Sequence, residues 1–263
     1  MTPRTVAYGP HPDQFVELTL PAGNGPAPVA VVLHGGFWRA AYGIELARPL
    51  AADLAAAGLA AVAVEYRRVG AGGGWPHTLA DVAAALDALA GLDERLALDD
   101  VAVVGHSAGG HLAAWAAGRH RLPSGAPGAG PRVRVARAVL QAGVLDLARA
   151  ARQGMGDGAV AAFLGGGPDD VPDRYAAADP VRLLPTGAEV LCVHGTVDDR
   201  VAPEQSSRYA DAATAAGDRV RVDLVEGADH MVLIDPGGRP WALARGWLCH
   251  RRQQDGGRST LDP

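Results

Sequence analysis

Cysteine, basic charge and long apolar runs are all scarce in this sequence. The two cysteines of the 263 residues, Cys192 and Cys249, lie in apolar patterns, which predicts small buried side chains and not a disulfide framework or a zinc site. The net charge of −5 argues against a nucleic-acid-binding face, and we interpret the arginines at 132, 134 and 137 as solvated surface.

From the given sequence we expect neither a secretory signal nor a membrane-spanning segment. No apolar run approaches the roughly 20 residues that span a bilayer. The first 15 residues contain no apolar core of a secretory signal. We therefore expect a cytoplasmic protein with no membrane partner and no nucleic-acid partner. A homodimer is possible from the sequence.

Short apolar runs alternate with longer helical patterns along most of the chain. The predicted strands cover residues 28–36, 59–67, 100–105, 135–143, 189–195 and 219–227. The predicted helices cover residues 45–58, 78–91, 108–118, 203–216 and 241–251. Repeated alternation of this kind predicts an α/β fold, a mostly parallel sheet with helices on both faces.

The remaining segments complete a single predicted domain, residues 1–263. Residues 16–20 alternate between apolar and polar side chains, which predicts an antiparallel edge strand. Residues 145–185 carry weak helical signals between two core strands, and we expect them to form a small cap over one end of the sheet. Residues 253–263 are expected to be a frayed tail.

The stretch GHSAG places Ser107 between Gly105 and Gly109, after an apolar strand and before an alanine-rich helix. A nucleophile held on such a strand-to-helix turn needs small neighbours, because the turn is strained and passes close to adjacent backbone. The helix start also favours developing negative charge. We therefore predict that Ser107 is a nucleophile, while an ordinary tight turn remains the alternative.

A second glycine-rich stretch, LHGGFWR, follows the first buried strand. A serine hydrolase must bind the oxyanion of a tetrahedral intermediate with backbone N–H groups, one of them from the residue after the nucleophile. The predicted oxyanion hole is therefore formed by Gly36, Phe37 and Ala108. Trp38 and Trp75 are predicted pocket residues, with core packing as the alternative for both.

The predicted acid and base follow two later strands. HGTVDD places Asp198 and Asp199 in a loop after a strand, and we predict that Asp198 orients the base, because Asp199 resembles helix-approach surface. His230, in GADH, follows the last strand and is the predicted general base. The chain order Ser107, Asp198, His230 is that of α/β-hydrolases.

The other histidines and the EYRR segment are given structural interpretations. His34 and His194 are predicted to shape their loops by hydrogen bonding, His106 to point away from the serine hydroxyl, and His111 to pack. Tyr66 and Arg67 are predicted to brace the oxyanion loop. No histidine pair has metal-ligand spacing with acidic partners, so we predict no metal and no cofactor.

Together, HGGFW, GHSAGGHLA, HGTVDD and GADH resemble the α/β-hydrolase superfamily, most of all small carboxylesterases, arylformamidases and prolyl-oligopeptidase-type catalytic domains. The resemblance covers nearly the whole chain after residue 29. It implies a serine hydrolase of small esters or amides, with Ser107 as nucleophile, Asp198 as orienting acid and His230 as base. Phe37 stands where the lipase loop has a third glycine, which weakens a lipase assignment.

Three functions are compatible with this resemblance. A carboxylesterase acting through an acyl-enzyme is the main prediction. An arylformamidase, or another hydrolase of small amides or peptides, is the alternative. A non-catalytic binding protein on the same fold is the third, although such proteins usually lose a member of the triad, and this chain keeps a candidate for each position.

Overall fold

The fold is built on one eight-stranded sheet, seen in a computed structural model that describes residues 2–250. The spatial order of the strands is β1-β2-β4-β3-β5-β6-β7-β8. Their bounds are Arg4–Ala7 (β1), Phe15–Thr19 (β2), Ala27–Leu33 (β3), Ala60–Val64 (β4), Leu96–His106 (β5), Val135–Gln141 (β6), Glu189–Gly195 (β7) and Arg219–Val225 (β8). Strands β3 to β8 run parallel, and β1 and β2 pair antiparallel.

Helices cover both faces of the sheet, as the sequence alternation predicts. The α-helices are Arg48–Ala56 (α1), His77–Ala88 (α2), Ala108–Gly118 (α3), Leu147–Arg152 (α4), Met155–Leu164 (α5), Pro172–Ala178 (α6), Glu204–Ala215 (α7) and Arg239–Cys249 (α8). The central strands are buried on both faces, which explains their continuous apolar runs. The predicted fold class is thus confirmed. No helix in the described range has the length and apolar character needed to cross a bilayer.

The antiparallel end of the sheet differs from the prediction. The predicted edge strand at residues 16–20 is the second strand, because β1 pairs with its outer side over four residues. β1 is mostly exposed and has no buried apolar face, so its pattern carries no strand signal. At the opposite end, β8 is an edge strand in which Arg219, Arg221 and Asp223 alternate with half-buried valines.

The segment between β6 and β7 forms three short helices, α4 to α6, over the carboxyl end of the sheet. Phe163 of α5 stacks on Trp38 of the predicted oxyanion loop, with ring centroids 4.7 Å apart. The carbonyl of Ala178 in α6 accepts a hydrogen bond from His111 in α3. These contacts join residues 145–185 to the loops that carry the predicted site. The predicted frayed tail, residues 253–263, lies outside the described residues.

Candidate active site

Ser107 occupies a strained turn between β5 and α3. Its backbone has φ 56° and ψ −117°, a conformation that L residues rarely adopt. A Cβ atom at Gly105 would lie 2.0 Å from the carbonyl oxygen of Gly109, and one at Gly109 would lie 2.1 Å from the oxygen of Leu33. Both flanking glycines are therefore required by close backbone approach, as the GHSAG pattern predicts.

The backbone beside Ser107 offers N–H groups to an anion. Ala108 is the first residue of α3, where no earlier helical carbonyl is available to its N–H. Gly36 and Phe37 line the cavity into which Ser107 also opens. Both have left-handed backbones, with φ 111° at Gly36 and φ 53° at Phe37. Two of the three predicted oxyanion residues, Gly36 and Phe37, thus line this cavity, and Ala108 directly follows Ser107 in the chain.

A buried carboxylate that was not predicted, Glu65, holds the predicted oxyanion loop. Glu65, at the end of β4, accepts hydrogen bonds from His34 Nε2 at 3.0 Å, from the N–H of Ile44 at 3.0 Å and from Arg68 at 2.8 Å. The Tyr66 hydroxyl donates to the His34 carbonyl at 2.7 Å, and its ring stacks on that of His34. His34 and Tyr66 therefore brace the loop, as predicted.

Arg67 does not brace the predicted oxyanion loop, contrary to the prediction. Its guanidinium forms a two-point ion pair with the buried carboxylate of Asp81 in α2, at 2.8 and 2.7 Å. Adjacent residues at a strand end point in different directions, so Tyr66 faces the loop while Arg67 faces the helix layer.

The loop after β7 carries a buried carboxylate with four hydrogen-bonding partners. Asp198 Oδ2 accepts from His230 Nδ1 at 2.7 Å and lies 3.3 Å from His194 Nε2. Asp198 Oδ1 accepts the N–H groups of Arg200 and Val201, both at 2.9 Å. Asp199 is exposed to solvent. Of the two carboxylates weighed from the sequence, Asp198 is the one next to His230.

These partners keep Asp198 ionised. Burial alone raises the pKa of the carboxyl, but the hydrogen bonds from His194, His230 and the Val201 N–H outweigh it and hold the pKa well below its usual range. His194 itself is fixed by the Ser206 hydroxyl at 2.8 Å and the Val201 carbonyl at 2.8 Å. His194 thus shapes this loop, as predicted, and also supports the carboxylate, which was not predicted.

His106 supports the backbone of the predicted base. Its Nε2 donates to the His230 carbonyl at 2.9 Å, and the two imidazole rings lie 4.4 Å apart. Burial and the neighbouring His230 lower the pKa of His106 to about 3, so this ring is neutral. His111 packs in the core, where Trp38 Nε1 donates to its Nδ1 at 3.2 Å, and burial lowers its pKa to about 4.

Ser107 and His230 open into the same small cavity, which has a volume of about 60 Å³. Its lining is mostly apolar and consists of Gly36, Phe37, Tyr42, Leu46, His106, Ser107, Arg200, His230 and Met231. A larger hollow of about 510 Å³ includes Glu189 and Arg219, at the amino ends of β7 and β8. The larger hollow therefore lies at the end of the sheet opposite Ser107.

Trp38 and Trp75 were predicted to line the pocket. Within the described residues 2–250, neither of them lines this cavity. Trp38 is 1% exposed and stacks on Phe163, so it is a core residue. Trp75 is half-buried against the same core, and its backbone N–H donates a hydrogen bond to the Phe163 carbonyl. The loop turns so that Phe37, and not Trp38, faces the cavity. Tyr42 and Met231 line it instead, and no motif marks either one.

The fold and this arrangement of elbow, glycine-rich loop and paired acid and histidine define the chain as a protein of the α/β-hydrolase class, which confirms the resemblance. Residues 16–212 match the BD-FAE family model, and the chain belongs to the BD-FAE family. No curated protein matches the sequence.

Solved structures with the same fold are similar over nearly the whole chain. A truncated carbohydrate esterase from gut microbiota has 21% identity and a TM-score of 0.80, covering 94% of this chain and 95% of that one. An acetyl ester-xyloside bifunctional hydrolase from Caldicellulosiruptor lactoaceticus has 20% identity and a TM-score of 0.77, covering 94% and 96%. A propionate-bound thermophilic esterase from Thermogutta terrifontis has 23% identity and a TM-score of 0.74, covering 94% and 93%.

Proposed function

We propose that this protein is a serine hydrolase that cleaves small carboxylic esters through an acyl-enzyme, with Ser107 as nucleophile, His230 as general base and Asp198 as orienting acid. The observation that carries the proposal is the 2.7 Å hydrogen bond from His230 Nδ1 to a buried, ionised carboxylate, with His230 and Ser107 lining one cavity. Three proteins of the same fold are named as esterases or as an acetyl ester hydrolase, which supports the same reaction.

The proposed reaction follows from the hydrogen bonding of the imidazole. Because Nδ1 of His230 donates to Asp198, Nε2 is the nitrogen free to take the proton of the Ser107 hydroxyl. The serine oxygen attacks the ester carbonyl, and the N–H groups of Gly36, Phe37 and Ala108 stabilise the oxyanion. His230 then gives the proton to the leaving alcohol. Water, deprotonated by His230, releases the acid and restores Ser107.

The size and polarity of the cavity favour a short acyl group. Its volume of about 60 Å³ is small, and its lining is mostly apolar. We therefore expect the preferred esters to carry an acyl chain of two to four carbons.

A panel of p-nitrophenyl esters from acetate to octanoate, run beside N-formylkynurenine, tests the proposal. We expect kcat/KM to be highest for short esters and to fall with chain length. Ser107→Ala is expected to lower kcat by at least about 10⁴-fold, because the nucleophile itself is lost. Ser207 is a half-buried serine of α7. Ser207→Ala is therefore the matched control and is expected to leave kcat unchanged.

Three results would count against the proposal. Substantial activity in Ser107→Ala would remove this residue as the nucleophile. Faster turnover of the formamide than of every ester would favour the arylformamidase alternative. Failure of a fluorophosphonate probe to label the wild-type protein would favour a non-catalytic binding protein.

A further inference from the structure

We propose that a glycine-rich turn at residues 154–158 sets the acyl length that the cavity accepts, by holding the side chain of Phe37, and that Arg39 and Gly156 are positioning residues for this purpose. The proposal rests on the proposed function, since it concerns the cavity beside Ser107. It assigns a role to part of α5 and to the arginine that ends the HGGFWR stretch.

Phe37 needs external support because its backbone is strained. Phe37 and Trp38 both have left-handed backbones, with φ 53° and 56°. Such backbones are strained in residues other than glycine and persist only where their surroundings hold them. Trp38 is held by stacking on Phe163 and by its hydrogen bond to His111. Phe37 is half-buried, packs against the edge of the core and lines the cavity, so part of its ring is left for a contact with another element.

The turn at residues 154–158 supplies that support through Gly156. A Cβ atom at Gly156 would lie 2.4 Å from Cε1 of Phe37, so the backbone of the turn lies directly against the ring. Any larger residue at this position must displace the ring or the turn. Because Gly156 has no side chain, the Phe37 ring can lie against the backbone of the turn. We infer that this contact sets the position of the ring beside the cavity.

Arg39 contacts both the turn at residues 154–158 and the Phe37 ring. Its Nη2 donates to the Gly156 carbonyl at 2.7 Å and to the Asp157 carbonyl at 3.4 Å. The guanidinium carbon also lies 5.7 Å from the centroid of the Phe37 ring, within the range of a cation–π contact. One side chain thus contacts both the residue that lines the cavity and the turn that limits its movement.

The turn itself provides a matched pair of test positions. Gly156 and Gly158 both have left-handed backbones, with φ 61° and 75°. A Cβ atom at Gly158 would meet nothing within 4 Å, whereas one at Gly156 would meet Phe37. An alanine at either site carries a similar backbone penalty. Only the alanine at Gly156 adds contact with the ring, so the difference between the two variants reports that contact.

The experiment measures the ratio of kcat/KM for p-nitrophenyl acetate to that for p-nitrophenyl butyrate. Gly156→Ala is expected to push the ring toward the cavity and to raise this ratio about tenfold, because a narrower apolar pocket rejects the longer acyl chain. Gly158→Ala is expected to leave the ratio unchanged. Arg39→Met frees the turn and is expected to lower the ratio toward one, and Arg39→Lys is expected to restore part of it.

A double-mutant cycle keeps the test decisive if Gly156→Ala lowers stability. In a Phe37→Leu background the smaller side chain leaves room for the added methyl group, so Gly156→Ala should no longer change the ratio. Equal ratios for Gly156→Ala and Gly158→Ala, in protein shown to be folded by circular dichroism, would overturn this proposal while leaving the esterase function intact. A wild-type protein without esterase activity would instead overturn the proposed function.

Discussion

Replacing Asp198 by asparagine is expected to reverse the hydrogen bond that orients His230. Oδ1 of Asp198 accepts two backbone N–H groups, from Arg200 and Val201, at 2.9 Å each. Because only an oxygen can accept them, the asparagine carbonyl must take this place. Its amide NH₂ must then face Nδ1 of His230, which lies 2.7 Å from Oδ2 in the wild-type protein.

The consequence is the wrong tautomer of the imidazole. An amide that donates to Nδ1 requires this nitrogen to be unprotonated, so the proton moves to Nε2. In the proposed mechanism Nε2 accepts the proton of Ser107, and in this variant it is already protonated. We expect kcat for p-nitrophenyl acetate to fall about 10⁴-fold, the loss that this tautomer change causes in a serine triad. His194 keeps its hydrogen bond to the Val201 carbonyl, so the loop should stay in place.

Steady-state kinetics at neutral pH, with Asp199→Asn as the matched control, tests this reasoning. Asp199 is adjacent in the chain but exposed, so the same chemical change there should alter kcat by less than about twofold. An Asp198→Asn variant that keeps a tenth or more of the wild-type kcat would refute the argument. So would equal losses in the two variants.

Two further predictions concern stability. Gly109→Ala would place a methyl carbon 2.1 Å from the Leu33 carbonyl oxygen, so it should lower the free energy of unfolding, measured in urea, by about 3 kcal/mol. At Gly91 a Cβ meets nothing within 4 Å, so Gly91→Ala should leave the free energy of unfolding nearly unchanged. Similar losses in the two variants would contradict the argument from close backbone approach. Burial lowers the pKa of His106 to about 3 and of His111 to about 4, so both bind protons on unfolding below their unfolded pKa of about 6.5. The free energy of unfolding should therefore fall between pH 6.5 and 4 by up to about 1.4 kcal/mol per pH unit for each ring, and His111→Gln should reduce this slope; an unchanged slope would contradict the prediction.

The sequence predicts the parallel part of this fold because buried parallel strands have continuous apolar runs that end in glycine turns. β1 escapes prediction, since its four residues are mostly exposed and are held by main-chain pairing with β2. Arg137 was interpreted as solvated surface, yet it is 2% exposed. It forms an ion pair with Asp100 and donates to carbonyls near the end of α8, about 110 residues away. A local pattern contains no information about such a distant partner.

The candidate site also has some features that the sequence predicts and others that it does not. The elbow glycines and the order of the serine, acid and histidine are local features, so the sequence is enough to nominate them. Glu65 closes a network with His34 and Ile44, which come from two other segments, and only the folded chain brings them together. The error at Trp38 has a similar cause, because two successive left-handed residues decide which aromatic ring faces the cavity.

The outer strand β8 has a consequence for self-assembly. An exposed strand edge is a template for a strand of another molecule, and charged side chains make such pairing costly. Arg219 and Arg221 lie two residues apart on one side of β8, and Arg221 is committed to Asp223 through two hydrogen bonds. Continuing the sheet across two copies would require these charged side chains to be accommodated beside those of the second copy. The charged outer edge of β8 is therefore a poor template for edge-to-edge pairing.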